Sequence, residues 1–221
     1  MKVLLGTLVV LAILLPIQGK VINWSGYSWM VRNQTSSGPG PNLWSDANAF
    51  LDVDGNLHLK ITHTSQGWQC VELTSELTFP PSNFQWQVAS RVDQLDRNVV
   101  VGLFMYPPNG LAPDGTNEID IEFAQWADPN NQRLFYTLFP KDSQLPHVSA
   151  ALEMNNLPGP STHRFKWNTT SIYYQSLRGY QPRDSGSDTF ASWITPAKYI
   201  NEVPTMNLSV HMNVWLFKGK P

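Results

Sequence analysis

Residues 118–122 read Glu-Ile-Asp-Ile-Glu, followed by Phe123. Acid and apolar residues alternate with period two, which is the period of a β-strand and not of a helix. On a strand, Glu118, Asp120 and Glu122 share one face, and Ile119, Ile121 and Phe123 share the other. The apolar face asks for a core. The acidic face crowds three like charges, which is costly unless the charges bind a cation or do chemistry. The chain must therefore build a sheet with one side packed and the other open around these acids.

The spacing also bounds the chemistry. At about 3.3 Å per residue, the outer two Cα atoms lie roughly 13 Å apart. Each Glu can lean inward by about 4 Å on bond lengths alone. The two carboxyl groups can then approach to about 5 Å. That is the separation of a retaining glycosidase; an inverting one needs about 6.5–9.5 Å. Asp120 can hold a shared proton or hydrogen-bond a neighbour, and so drive the proton affinities of the acids apart. Two other readings fit the same residues: a solvated strand face, and a calcium site built from oxygen ligands. The spacing favours catalysis over both.

The rest of the chain supports an all-β architecture. Apolar residues alternate or come in short runs between Gly, Pro, Asn and Asp, and no stretch has a convincing helical period. Strands are predicted at 57–62, 72–77, 84–92, 99–106, 117–123, 133–139, 162–167, 171–175 and 208–217. Residues 93–98 read as a polar hairpin loop and 178–198 as a long surface loop. Regular short strands with turn signals predict one β-sandwich or jelly-roll domain over residues 20–221. On the last strand His211, Asn213 and Trp215 share a face, and Tyr106 ends the 99–106 strand. If these strands line one sheet, Tyr106, Trp126, Asn213 and Trp215 are candidate sugar contacts, offering flat rings and hydrogen-bonding groups.

Composition removes several classes. Charged residues make up 14%, the formal net charge is −2 and no basic patch exists, so nucleic acid is not an expected partner. No G-x-S-x-G elbow and no H-x-x-x-H pair occurs, and the five His are scattered. No metal or cofactor is expected, and the predicted state is a monomer. Cys70 is the only cysteine, so no intrachain disulfide can form, and a buried, inert thiol is expected.

Residues 1–19 read as a secretory signal. Lys2 supplies the positive start, residues 3–15 the apolar run, and Gly19 a small residue near the cleavage point. The run is short for a membrane span, and no other stretch is apolar enough, so no span is expected once the signal is removed. The predicted location is extracellular. Four N-x-S/T sequons, at Asn23, Asn33, Asn168 and Asn207, are candidate glycosylation sites in a secreted chain.

Several stretches together resemble glycoside hydrolase family 16. The run 118–122 matches the family's E-x-D-x-E motif, in the form without an extra residue before the last Glu. Residues 38–46 and 55–61 are similar to early strands of bacterial and fungal members. Residues 163–176 resemble the segment H-x-F/Y-x-W followed by an apolar strand, and 210–217 resemble a late strand that often reads N-L-W. The likeness runs from about Trp24 to the end. It implies a jelly roll of two curved antiparallel sheets that cleaves internal links of a β-linked glucan with retention. By position, Glu118 is then the nucleophile, Glu122 the general acid/base, and Asp120 the residue that tunes and holds Glu118. The same scaffold also carries transglycosylases and non-catalytic glycan-binding proteins. This form of the motif is the one seen in mixed-linkage glucanases and xyloglucan transglycosylases. Family members usually run on for one or more strands past the late one, so a shortened domain with an exposed sheet edge is expected here.

Overall fold

The acidic strand forms where expected. A computed structural model describes residues 19–142, 144–154 and 157–220. The proposed signal therefore lies, up to residue 18, outside the described residues. The strands are β1 (Val21–Trp24), β2 (Tyr27–Val31), β3 (Gln34–Ser37), β4 (Asn42–Trp44), β5 (Ala49–Leu51), β6 (Leu57–Leu59), β7 (Thr62–Thr64), β8 (Gly67–Phe79) and β9 (Asn83–Val88). They continue as β10 (Val99–Tyr106), β11 (Glu118–Phe123), β12 (Leu134–Phe139), β13 (Val148–Leu152), β14 (Ser161–Trp167), β15 (Ile172–Arg178), β16 (Thr189–Ile194) and β17 (Leu208–Leu216). The described helices are single 3-10 turns.

Two sheets pack face to face as a β-jelly roll. The large one runs β1-β2-β8-β17-β10-β11-β12-β13, with β3, β4 and β7 attached through β8. The small one runs β16-β15-β14-β9, and β5 and β6 form a separate ribbon. Pairing is antiparallel throughout except β4 on β8. The pleat decides which side of β11 is packed. Ile119, Ile121 and Phe123 are fully buried between the sheets, together with Tyr136, Leu138, Phe165 and Tyr174. The rings of Tyr136 and Tyr174 stack across the interior with centroids 4.9 Å apart. Burial of this apolar face, at about 25 cal/mol per Å², is what holds the acids outward on the opposite side.

Several sequence expectations change. Residues 93–98 do not turn a hairpin. They carry the chain from the small sheet to the large one, beginning with a 3-10 turn at Val92–Gln94. Asp93 is buried there, held by two bonds from Arg91 at 2.8 and 2.7 Å and by the Leu157 amide at 3.2 Å. The 178–198 segment is not one loop: it contains β16, which pairs with β15. The modest signal at 72–77 is the middle of the thirteen-residue strand β8. The 208–217 strand forms as β17, which pairs with β8 on one side and β10 on the other. Cys70 is fully buried with its thiol 3.3 Å from Asn42 Oδ1, and burial raises its pKa to about 11. The four sequon asparagines are all exposed.

Candidate active site

Strand register lays out the outer face of the large sheet row by row. One row reads Thr74, His211, Phe104, Asp120, Thr137, Ser149 across β8, β17, β10, β11, β12 and β13. The next reads Glu72, Asn213, Gly102, Glu122, Phe135, Ala151. Glu118 pairs with Phe139. The three acids thus lie on the open face with polar and aromatic residues from five neighbouring strands. They open on a cavity of about 370 Å³ lined by Glu118, Asp120 and Glu122, with the side chains of β12 and β13 beyond them.

The acids hold protons unusually tightly. Burial, then the charge of Glu122, raises Glu118 to about 8. Burial raises Glu122 to about 7. Asp120 stands well above the ordinary carboxylate range through burial, the charges of both glutamates and its own hydrogen bond to Glu118. Three carboxyl groups in one low-dielectric site cannot all ionise near neutrality. They titrate as a set, and the proton affinities alone do not distinguish one glutamate from the other. A side-chain hydrogen bond between Asp120 and Glu118 lowers the proton affinity of Glu118 and raises that of Asp120, without bringing Glu118 below Glu122. The other Asp120 oxygen, Oδ1, is buried with no hydrogen-bond partner.

The remaining predicted residues fall around this centre in different ways. Tyr106 is half-buried at the end of β10, and its hydroxyl donates to Asp114 at 2.6 Å. Trp126 lines the cavity from the turn after β11, wedged against Phe135, Trp215 and Phe217 with centroids 5.9, 6.1 and 5.5 Å away. Trp126 and Ala127 both have positive φ, 53° and 66°, a strained pair that aims the indole back over the sheet. Trp215 is 8% exposed and packs with Trp44, Val100 and Leu216 in a second apolar cluster, so it backs Trp126 from beneath. Asn213 is buried and bridges two strands. Its Oδ1 accepts from the Gly102 amide at 3.0 Å, and its Nδ2 donates to Glu72 at 3.3 Å.

Other residues of the site had no signal strong enough to single them out. Glu72 reaches His211 at 3.5 Å and Arg32 at 3.4 Å. Burial would raise its pKa, but His211, Arg32 and Asn213 outweigh burial and hold the carboxyl below the usual range. Phe135, Thr137 and Phe139 follow from the alternation of β12 once its pairing with β11 is known. His147 lines the cavity and packs on Phe139 with centroids 4.9 Å apart. Among the described residues no group of three His, Cys, Asp or Glu is arranged to hold a metal ion.

Gly102 sets up a direct test of this layout. A Cβ there would sit 2.6 Å from Asn213 Oδ1 and 3.3 Å from the Phe104 ring. Asn213 cannot yield without losing its bonds to Gly102 and Glu72. Gly102→Ala is therefore expected to cost about 1–3 kcal/mol in urea unfolding, the price of unpaired buried polar groups. Unchanged stability would show that Asn213 is not held as described.

No family model and no curated protein matches the chain. Solved structures do match its fold. A β-glucanase of Bacillus licheniformis superposes with a TM-score of 0.62 at 18% identity, covering 90% of this chain and 86% of its own. A glycoside hydrolase family 16 endo-glucanase from Bacteroides ovatus gives 0.59 at 11% identity, covering 87% and 84%. An immunostimulatory antigen and pseudo β-1,3-glucanase of Mycobacterium tuberculosis gives 0.60 at 18% identity, covering 84% and 79%. The fold is thus of the family 16 type.

Proposed function

We propose that, on this glucanase-type fold, the chain is a retaining, endo-acting hydrolase of β-linked glucan, secreted through residues 1–19 and acting as a monomer. The observation that carries the reading is the carboxyl trio on the open face, with every proton affinity raised and one internal hydrogen bond directed at Glu118. In this reading Glu118 attacks the anomeric carbon while Glu122 gives its proton to the departing glycosidic oxygen. Glu122, now ionised, takes a proton from water, whose oxygen displaces Glu118 and frees the sugar. Asp120 keeps its own proton on the bond to Glu118, steadying the nucleophile and stabilising its charge before the attack.

The developing positive charge on the donor ring calls for negative potential and hydrogen bonds nearby. On the β17 and β8 side of the acids Asn213 and His211 supply hydrogen-bonding groups, and the charge of Glu72 there is offset by Arg32 at 3.4 Å. Tyr106, Trp126, Asn213 and Trp215 are assigned to substrate binding, Trp215 through its support of Trp126. Mixed-linkage glucan is the substrate of first choice, because the acid motif has the form seen in enzymes of that type.

The experiment is proton NMR of the first products from a soluble mixed-linkage glucan. Oligosaccharides that appear first as the β-anomer are the expected result. Initial α-anomer would overturn retention, and binding without new reducing ends would favour a non-catalytic glycan-binding role.

A further inference from the structure

The loop 107–117 joins the end of β10 at Tyr106 to the start of β11 at Glu118, so it borders the acids. It is tied to the site by the 2.6 Å bond from the Tyr106 hydroxyl to Asp114, whose charge is felt at Glu118. Its tip is Pro108-Asn109-Gly110-Leu111, closed by the Leu111 amide on the Pro108 carbonyl at 3.0 Å. Gly110 has φ 80°, the left-handed value that the third position of a type II turn takes. Asn109 and Gly110 are exposed, and a Cβ built on Gly110 meets nothing within 4 Å. Asn109 is the one asparagine in the chain that is followed by glycine.

An asparagine Cγ can close a five-membered ring with the main-chain nitrogen of the next residue. Closure needs that nitrogen unshielded and the backbone free to rotate, and glycine supplies both. The chain holds two related pairs, Asp54-Gly55 and Asp114-Gly115, and the fold restrains each. The Gly55 amide donates to the Asp52 carbonyl at 3.1 Å. Asp114 accepts the Tyr106 hydroxyl, and the Gly115 amide is directed at the same hydroxyl. Among the described residues the Gly110 amide donates to no group. We propose that Asn109 is a site of spontaneous deamidation, which converts it to aspartate and isoaspartate in the folded chain. The Gly110 nitrogen bonds to Asn109 Cγ, the bond from Cγ to Nδ2 breaks, and Nδ2 leaves as ammonia with the proton of the Gly110 amide. Water then opens the cyclic imide, its hydroxyl adding to a carbonyl carbon and its remaining proton passing to the ring nitrogen. Opening at Cγ gives aspartate. Opening at the main-chain carbonyl gives isoaspartate, with one more methylene in the backbone of the loop. Either product adds a negative charge to the loop that carries Asp114, ahead of its anchor on Tyr106.

The test incubates the purified full chain in mildly alkaline buffer and follows each Asn and Asp by peptide mass and by electron-transfer fragmentation, which separates isoaspartate from aspartate. Both products are expected to accumulate at Asn109 faster than at any other asparagine. Asn109→Gln, which would have to close a six-membered ring, is expected to lose the reaction. Gly110→Ala is expected to slow it to the rate of the other asparagines. Both are changes at an exposed turn, away from the core. Asp54 and Asp114 are expected to stay as aspartate in the folded chain and to isomerise once urea frees the amides of Gly55 and Gly115. An Asn109 that stays intact while the free peptide of residues 106–113 converts would overturn the site. So would conversion no faster than at other asparagines, or Gly110→Ala converting at the parent rate. Isomerisation of Asp54 and Asp114 as fast in the folded chain as in urea would overturn the shielding that singles out Asn109.

Discussion

Glu118→Gln is expected to reduce kcat on soluble β-glucan on the order of 10⁴-fold or more, with the fold intact by circular dichroism. The amide cannot form the glycosyl ester, so the step that divides one difficult displacement into two is lost. Glu122→Gln is expected to be milder, on the order of 10²–10⁴-fold, and milder still with a dinitrophenyl leaving group that needs no proton. The two roles are separated by azide. In Glu118→Ala the anion enters from the emptied side and displaces the leaving group directly, giving the α-glycosyl azide. In Glu122→Ala it attacks the ester already formed on Glu118 and gives the β-azide. The reverse pattern would exchange the roles of the two glutamates, and full activity in Glu118→Gln would sink the mechanism. The order expected here is that of the proposed roles, in which Asp120 bonds to Glu118 and not to Glu122.

The acid strand was legible in the sequence because its signal is local. Period-two alternation in 118–123 states both which face is packed and which residues share the other, and Ile119, Ile121 and Phe123 are buried accordingly. The strand Val99–Tyr106 was legible for the same reason, with Pro107 and Pro108 marking its end. The partners across the sheet were not. Glu72 meets Asn213 across 141 residues of sequence and Gly102 meets Asn213 across 111. Such contacts are created by strand order, which no local pattern carries. The 93–98 segment shows the same limit: its polar residues mark a turn, but nothing local says whether the chain returns to the same sheet or crosses to the other. Within 178–198 the turn residues masked a six-residue strand, Thr189–Ile194, whose pairing comes from β15 and not from its own alternation. His163 illustrates the opposite case. A lone buried histidine invites a functional reading, yet its two ring nitrogens are bonded to Ser161 and Ser176 at 2.8 and 2.7 Å, and burial lowers its pKa to about 3. It is a satisfied core residue.

The same burial that arms the trio should make it a weak point of the fold at alkaline pH. Glu122 has an ordinary value of 4.5 and stands near 7 in the folded chain, and Glu118 stands near 8. A carboxyl that holds its proton more tightly folded than unfolded favours the fold fully below 4.5, and that contribution is lost as pH rises past 7 to 8. For Glu122 the loss amounts to about 3 kcal/mol, since a tenfold change in proton affinity is about 1.4 kcal/mol. Glu122→Gln keeps the shape and the hydrogen-bonding capacity while removing the charge. It is expected to be more stable than the parent by about 2–3 kcal/mol at pH 9 and to match it at pH 4, read from urea midpoints. The acid side of the profile belongs to other groups, such as Asp93 held low by Arg91, and these cancel when variant and parent are compared at one pH. A gain of equal size at both pH values would mean that the amide merely packs better, and no gain at pH 9 would mean that the Glu122 carboxylate is well solvated. Either result would also remove the electrostatic basis for its work as an acid near neutrality. A gain confined to alkaline pH would tie the stability cost to the protonated state that the first chemical step requires.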